Sequence, residues 1–199
     1  MKIDCIFADF LGEGVLENIN NSSLKTFILA LKKKDKGRTF SNYGGWQSND
    51  LSLEENVLKD LLIEIEKNLI PFEQVLRLRK EFKLKVANIW ANVNGPGAMN
   101  YPHIHPGSVL SGVYYVTLPE NSGNLRLINP NLFNFLTFLG DLEKFSEGRT
   151  VFTTEHTLHK SKPGGLLIFP SHISHYVLPN FSKHKRISFS FNTTISPRE

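Results

Sequence analysis

The chain has 199 residues, of which 40% are apolar and 21% are charged, and its 23 Lys and Arg against 19 Asp and Glu give a net charge of +4. This composition excludes a disordered chain, and the apolar runs are shorter than the ~20 residues that a membrane-spanning helix needs. We therefore expect one soluble globular domain over residues 1–199.

The cysteine count and the N-terminus bear on location and partners. The single cysteine, Cys5, cannot form an internal disulfide, and the first residues lack the charged-then-apolar order of a signal peptide. We expect a cytoplasmic protein without a membrane partner. Because basic residues are not interleaved with aromatic ones, we expect no nucleic-acid partner either. The substrate, small molecule or protein, stays open, as does the oligomeric state, with a homodimer among the options.

Residues 1–83 are predicted to form an N-terminal strand followed by helices. The stretch Asn20–Ser23 supplies N-cap chemistry before apolar residues at helical spacing, and Pro71 predicts a break in the second helical stretch. In chain order we predict a strand over Ile3–Leu11, a helix from Leu24 to Leu31, an irregular loop over Arg38–Asp50, a helix from Leu53 and a further helix over about Phe72–Phe82.

From Leu84 onward the apolar pattern has a period of two, which is typical of strands. An interruption at about 129–148 has partial helical character and is predicted to be an insertion in a core that spans residues 84–194. The fold class that follows is mainly β, a double-stranded β-helix of the jelly-roll or cupin-like kind with N-terminal buttressing helices. The predicted strands are Lys83–Asn94, Ser108–Leu118, Asn124–Ile128, Thr150–Leu158, Leu166–Phe169, His172–Leu178 and Arg186–Thr194.

The most informative local feature is the pair His103 and His105, which lie two residues apart in a stretch kept extended by neighbouring prolines. Residues two apart on a strand project from the same face, so one metal ion can contact both imidazoles. A third histidine, His175, follows 70 positions after His105. Two ligands from one strand and a third from a distant strand describe a facial metal site that leaves three coordination positions open.

Arg186 follows His175 by 11 positions and shares a strand face with Ser188. The apolar residues Ile187 and Phe189 occupy the opposite face, which favours an interior position for the guanidinium. A buried Arg needs an anionic partner, and no local Asp or Glu offers one, so a ligand carboxylate would fit. The other histidines are predicted to lie at the rim (His172) or on the surface (His156, His159 and His184).

These segments together resemble the Fe(II)/2-oxoglutarate-dependent dioxygenases, and specifically a small group of oxygenases known from marine bacteria and phages of cyanobacteria. The resemblance covers about half of the chain. Its residues are Trp90–Asn94, His103–Val116, Phe169–Ser171 with His175, Pro179–Asn180 and Arg186–Asn192.

The resemblance implies an iron site and a cosubstrate site, with no catalytic residue beyond the metal ligands. It implies Fe(II), 2-oxoglutarate and O2 as cofactor and cosubstrates, ascorbate as an optional reductant, and hydroxylation of a substrate with release of succinate and CO2. The implied metal ligands are His103, His105 and His175, and the implied 2-oxoglutarate-binding residues are Arg186, Ser188, Tyr115 and Asn92.

One position departs from the wider superfamily, which has Asp or Glu where this chain has His105. Three neutral imidazoles leave the iron at +2, whereas a carboxylate ligand would lower that charge by one. Two other functions therefore stay open. One is a three-histidine cupin-type dioxygenase that does not use 2-oxoglutarate, and the other is a jelly-roll binding protein without catalysis, such as a virion-associated one.

Overall fold

The computed structural model describes residues 1–2, 8–131 and 154–198. In these residues the elements are, in chain order, β1 (Gly12–Val15), α1 (Asn21–Lys34), β2 (Asn42–Tyr43), β3 (Trp46–Gln47), a 3₁₀ turn (Asn56–Leu58), α2 (Lys59–Val75), β4 (Phe82–Asn94), β5 (Met99–His103), β6 (Leu110–Thr117), β7 (Leu125–Ile128), β8 (His156–Leu158), β9 (Gly165–Pro170), β10 (His175–Val177) and β11 (Arg186–Pro197).

The described strands form two antiparallel sheets. One has six strands in the order β1-β9-β6-β11-β4-β3, and the other has five in the order β2-β5-β10-β7-β8. The pairing of β4 with β11 is the longest and runs from Phe82 opposite Pro197 to Asn94 opposite Arg186. Two facing sheets with few helices confirm the predicted jelly roll.

Both helices pack on the outer face of the six-stranded sheet. The Asn20 side chain accepts a hydrogen bond from the Ser23 amide at 3.1 Å and so caps α1, as predicted. Leu24 and Ile28 of α1 join Phe189 and Phe191 of β11 in one buried core. Because burying each such side chain contributes roughly 1.5–3 kcal/mol, this layer stabilises the sheet that forms one wall of the site.

The predicted helix break at Pro71 is wrong. Helix α2 continues through Pro71 to Val75, so the predicted helix over Phe72–Phe82 is divided between the end of α2, a short connection and the first residue of β4. A proline in a helix interior costs ~3 kcal/mol. The apolar face of α2 offsets that cost, since its regularly spaced members, Leu61, Ile65, Leu69 and Phe72, are all buried.

The N-terminal segment differs from the prediction in two places. Of the predicted strand Ile3–Leu11, residues 3–7, including Cys5, lie outside the described residues, while 8–11 are not strand and β1 begins at Gly12. A Cβ at Gly12 would collide with the ring of Phe72, so the glycine allows α2 to approach β1 closely. The predicted irregular loop over Arg38–Asp50 contains β2 and β3, because partners distant in sequence pair with it.

Strands β6 to β11 lie where the period of two predicts them, whereas β5 was not among the predicted strands and forms by pairing with β2 and β10. The structure shortens the predicted strand near His175 to three residues and extends the last one to Pro197, and in the described part of the predicted strand near His156 residues 156–158 are strand. Most of the predicted insertion at 129–148 lies outside the described residues, as does the predicted strand start at residues 150–153. Neither described helix is long and apolar enough to cross a membrane.

Candidate metal and cosubstrate site

A cavity of about 640 Å³ opens between the two sheets. Its wall on the six-stranded sheet consists of alternate residues of three adjacent strands, because successive side chains on a strand point to opposite faces. The wall residues are Asn88, Trp90, Asn92 and Asn94 of β4, Arg186, Ser188, Ser190 and Asn192 of β11, and Ser111, Val113 and Tyr115 of β6.

The five-stranded sheet brings the three predicted histidines together in this cavity. His103 ends β5, His175 begins β10, and the two are direct partners in the antiparallel pairing of these strands. His105 lies two residues beyond His103, where its amide donates to the carbonyl of Ser171 at 3.0 Å. One ring nitrogen from each histidine lies within 4.8 Å of the other two. The role of these nitrogens as metal ligands stays a prediction.

Backbone carbonyls orient two of the three imidazoles. Nδ1 of His103 lies 2.7 Å from the carbonyl oxygen of Tyr101, and Nδ1 of His175 lies 2.9 Å from that of Ile173. Because a carbonyl oxygen can only accept, each Nδ1 carries the hydrogen, and the Nε2 lone pair is left for another partner. This is how metal-binding histidines are commonly held. Nε2 of His103 has the Ser41 hydroxyl 3.4 Å away.

Burial of the three histidines keeps their imidazoles uncharged. Burial lowers the pKa of His103, lowers that of His105 to about 4 and lowers that of His175 to about 3, and repulsion from His103 adds to the last two shifts. At neutral pH the three rings therefore present lone pairs rather than positive charges. Neutral imidazole is a ligand that suits iron, so the donor set fits an Fe(II) ion.

Arg186 is 2% exposed and has no carboxylate partner among the described residues. Its Nη1 donates to the carbonyls of Ser122 and Gly123 at 2.6 and 3.1 Å. The φ of Gly123 is +89°, and a Cβ there would lie 2.6 Å from Nη1, so a glycine is required beside the guanidinium. Burial lowers the pKa of Arg186 to about 10, an effect that Tyr115 opposes, and Arg186 stays charged at neutral pH. This uncompensated cation is ready to receive an anionic ligand.

The other predicted cosubstrate residues form a row beside Arg186. Ser188 lies opposite Asn92 on one side and opposite Tyr115 on the other. Burial raises the pKa of Tyr115 to about 12, so its hydroxyl keeps its proton at neutral pH and can donate it in a hydrogen bond. The amide nitrogen of Asn92 is already engaged and donates to the hydroxyl of Ser190 at 3.0 Å.

Two residues that line the cavity lie outside the predicted 2-oxoglutarate-binding set. Asn94 lies directly opposite Arg186, is 2% exposed, and its Nδ2 has no hydrogen-bond partner among the described residues. Arg38 reaches the cavity from the segment that was predicted to be an irregular loop. The sequence does contain a signal for Asn94, because it follows Trp90 and Asn92 at every second position of the same strand. No local sequence pattern points to Arg38.

The remaining histidines lie outside this cavity. His172 is exposed, as predicted, and its Nε2 lies 3.0 Å from Oδ1 of Asp9. His184 is exposed as well. His156 and His159 are half-buried rather than fully on the surface: the ring of His156 packs edge-on to Tyr176, and His159 pairs with Glu13. The predicted separation of these four from the metal-binding set agrees with their positions.

The fold is shared with solved 2-oxoglutarate-dependent enzymes. A prolyl-4-hydroxylase from Pseudomonas putida is 15% identical, with a TM-score of 0.58 over 95% of this chain and 92% of that chain. SnoN, an α-ketoglutarate-dependent epimerase from nogalamycin biosynthesis, is 12% identical, with a TM-score of 0.68 over 96% and 81%. The collagen prolyl hydroxylase of Paramecium bursaria Chlorella virus-1, solved with 2-oxoglutarate, is 15% identical, with a TM-score of 0.54 over 92% and 94%.

A sequence comparison defines the family. A search of the curated proteins gives no match. A family model described as "Putative 2OG-Fe(II) oxygenase" matches residues 88–192, which is slightly more than half of the chain and includes the wall residues of β4 and β11 and the three histidines. The chain therefore belongs to this family of 2-oxoglutarate- and Fe(II)-dependent oxygenases.

Proposed function

We propose that His103, His105 and His175 hold the Fe(II) and that the wall around Arg186 holds 2-oxoglutarate, for the hydroxylation of a substrate C–H bond with release of succinate and CO2. The observation that carries this proposal is the position of the two groups in one cavity: three neutral, converging imidazole nitrogens and one buried guanidinium without a carboxylate partner among the described residues. When bound, the iron supplies oxygen activation coupled to oxidation of 2-oxoglutarate.

The third histidine has an electrostatic consequence. With three neutral ligands the iron keeps its charge of +2, and dianionic 2-oxoglutarate brings the complex to zero. A neutral complex is less costly to bury than a charged one, and the site sits among apolar side chains that include Phe169, whose ring lies 4.7 Å from that of His175. Burial thus supports His105 as a ligand in place of a carboxylate.

Arg186 would pair with the distal carboxylate of 2-oxoglutarate. Its backbone contacts to Ser122 and Gly123 fix the guanidinium while leaving further N–H groups for a ligand. Ser188 and Tyr115, which lie on adjacent strands, would donate hydroxyl hydrogen bonds to the same carboxylate. We add Asn94 to this set, since its buried Nδ2 needs an acceptor and lies on the strand position opposite Arg186. Asn92 would act through Ser190.

This function is tested by asking whether turnover depends on both Fe(II) and 2-oxoglutarate. With Fe(II), 2-oxoglutarate and oxygen we expect the protein to release succinate, with slow turnover in the absence of the substrate and none when Fe(II) is replaced by Zn(II). Calorimetry under nitrogen should show that Fe(II) strengthens 2-oxoglutarate binding. Oxygen consumption that depends on metal but not on 2-oxoglutarate would instead support the three-histidine cupin-type dioxygenase.

A jelly-roll binding protein without catalysis predicts a different result. In that case Fe(II) would not bind tightly, and a His175→Ala variant would bind it as well as the parent protein. Measuring Fe(II) affinity alone therefore separates this alternative from both enzymes. The family membership of the chain favours the enzymes.

Location and origin are part of the proposal as well. We propose that the protein works in the cytoplasm of a bacterium, or in that of the infected host if a phage encodes it, as its resemblance to the phage and marine bacterial group implies. The single cysteine agrees with a reducing compartment. Fractionation of cells that express the native gene would test this, and recovery outside the cytoplasmic fraction would contradict it.

A further inference from the structure

The cavity contains a second guanidinium that the cosubstrate does not require. Arg38 lines the cavity where its Cζ lies 5.7 Å from the ring of Trp90, and Trp90 in turn lies 5.7 Å from the ring of His105. Trp90 therefore separates Arg38 from the histidines.

Arg38 and Arg186 lie at different ends of the wall. On β11 the partner of Trp90 is Ser190, four residues from Arg186, which is roughly 13 Å along an extended strand. In the proposed function the other end of 2-oxoglutarate binds the iron at the histidines, so one 2-oxoglutarate held by Arg186 leaves Arg38 for another ligand.

The donors of Arg38 are largely unused. Its side chain makes one hydrogen bond in the described residues, from Nη2 to Oδ1 of Asp50, although a guanidinium has five N–H groups. Its Nε is buried and has no hydrogen-bond partner in the part of the chain that the structure describes. The other oxygen of Asp50 accepts from Nδ2 of Asn88 at 3.0 Å, so Asp50 is itself shared. Because Asp50 occupies only one of its N–H groups, the Arg38 guanidinium has donors left for a ligand.

The charge of the cavity favours an anion. Its described lining includes two guanidinium groups and no Asp, Glu or Lys, and the other polar side chains there are uncharged amides, hydroxyls and imidazoles. Asp50 faces Arg38 from outside this lining. A cationic substrate would meet repulsion at both ends of the wall, whereas an anionic one would find a partner at the end that 2-oxoglutarate leaves free.

Apolar surface adjoins Arg38 at the cavity mouth. The ring of Phe40 lies 5.1 Å from Cζ of Arg38 and is 72% exposed, and the lining residues Tyr101 and Ile104 are each 47% exposed. Exposed apolar side chains grouped beside a cavity are typical of ligand contact. They would cover the uncharged part of a ligand whose anionic group binds Arg38.

We propose that the substrate of this oxygenase carries a carboxylate or phosphate group that binds Arg38, next to an apolar part that packs on Phe40 and Trp90. This inference rests on the proposed function, because it assigns a substrate class to the same cavity. In this arrangement Arg38 selects the substrate and places the rest of it beside Trp90 and His105.

Binding of small probes tests the proposal without turnover. The protein is loaded with Zn(II) and saturated with 2-oxoglutarate, so that Arg186 is occupied, and is then titrated by calorimetry with benzoate, phenyl phosphate or benzamide. Benzamide matches benzoate in shape but lacks its charge. We expect benzoate or phenyl phosphate to bind at least tenfold more tightly than benzamide, and the better of the two identifies the anionic group.

Two variants should shift the affinity of the anionic probe in opposite directions. Arg38→Met should weaken it at least tenfold, and Asp50→Asn, which removes the competing carboxylate, should strengthen it severalfold. Neither should change the affinity of benzamide. Arg126→Met is the matched control, because Arg126 is another partly buried arginine with an unpaired Nε but does not line the cavity. It should leave the affinities of all three probes unchanged.

The position of the probe can be read independently. In a Trp46→Phe background Trp90 is the sole tryptophan, and its fluorescence should change on binding. Equal affinity for benzoate and benzamide, anion binding that survives Arg38→Met, or no anion binding by the loaded protein would each overturn the proposal. Since these measurements use Zn(II) and no oxygen, they can fail while succinate release succeeds, and the reverse also holds.

Discussion

The two sheets contribute to the same cavity in different ways. The six-stranded sheet presents Arg186, Ser188, Tyr115 and Asn92 from strands of 8 to 13 residues, and two helices support it on the outer face. The five-stranded sheet presents His103 and His175 from strands of three to five residues, and it presents His105 from the segment just after β5 rather than from the strand itself. The positions of the residues on the six-stranded sheet follow from strand geometry. The positions of the three histidines depend instead on individual backbone contacts near each of them.

This difference suggests a division of work between the sheets. The six-stranded sheet provides fixed hydrogen-bond donors for an anionic cosubstrate, and the five-stranded sheet provides the metal-binding nitrogens. If the division holds, a change on one sheet should alter one kind of binding and leave the other largely intact. Substitutions at four positions test that separation.

The largest effect is expected from His175→Ala. This substitution removes a buried imidazole whose Nδ1 is held by the carbonyl of Ile173. Substituting a residue that hydrogen-bonds to a metal ligand typically lowers metal affinity 10–100-fold, so loss of the ligand itself should lower the Fe(II) affinity by more than about 100-fold. Succinate release should fall with it. His172→Ala is the control, since His172 is exposed and lies outside the cavity. Equal losses in Fe(II) affinity for the two variants would contradict the assignment.

Arg186→Met should act on the cosubstrate instead. Removing one partner of a buried, charge-assisted pair costs about 2–5 kcal/mol, so the KM for 2-oxoglutarate should rise roughly 30-fold or more. The Fe(II) affinity measured without 2-oxoglutarate should stay within about twofold of the parent. Arg126→Met again serves as the control. A lower Fe(II) affinity with an unchanged KM would show that the two sheets do not divide the work in this way.

His105 tests the boundary between the sheets, because its ring contacts both Trp90 on the wall and His175. His105→Ala should weaken Fe(II) binding by roughly tenfold or more, and His105→Asp should restore it, because a carboxylate is also an iron ligand. In the Asp variant the complex with 2-oxoglutarate gains one negative charge. Titration with Fe(II) checks both variants, and full affinity in the Ala variant would mean that two histidines suffice.

The smallest effect is expected from Tyr115→Phe. A single hydrogen bond from the neutral Tyr115 hydroxyl to the carboxylate of 2-oxoglutarate contributes about 1–2 kcal/mol. Its loss should raise the KM for 2-oxoglutarate roughly 5- to 30-fold and leave the Fe(II) affinity unchanged. Tyr114→Phe is a neighbour on the opposite face of β6, where its hydroxyl donates to Asn21 instead. That variant should leave the KM unchanged, and an equal rise in both would point to general destabilisation.

Much of the wall could be predicted because a strand repeats every two residues. Once Arg186 to Asn192 is a strand with Ile187, Phe189 and Phe191 on the core side, the alternate residues must face the other way, and the structure agrees. The same alternation on β4 predicts that Asn94 also faces the cavity. Its significance depends on the unpaired Nδ2, which no sequence pattern reveals.

Local signals failed where distant contacts decided the structure. Pro71 is a helix breaker by itself, but the buried face of α2 outweighs it. The Gly- and Asn-rich segment that includes Arg38 looks irregular by itself, but pairing with β4 and β5 orders it into β2 and β3 and brings Arg38 to Trp90. In each case the stabilising partner lies far along the chain, so a local window does not contain it.

The amino-acid sequence by itself determined the jelly-roll class, the alternating faces of its long strands and the three histidines as one set, because these depend on residue type and on spacing along a strand. Tertiary structure decided that His103 and His175 lie opposite each other, that two backbone carbonyls orient their rings, and that Arg38 shares the cavity with Arg186. These features need two sheets to be packed at a particular register. That register is fixed by the whole core, and no single segment specifies it.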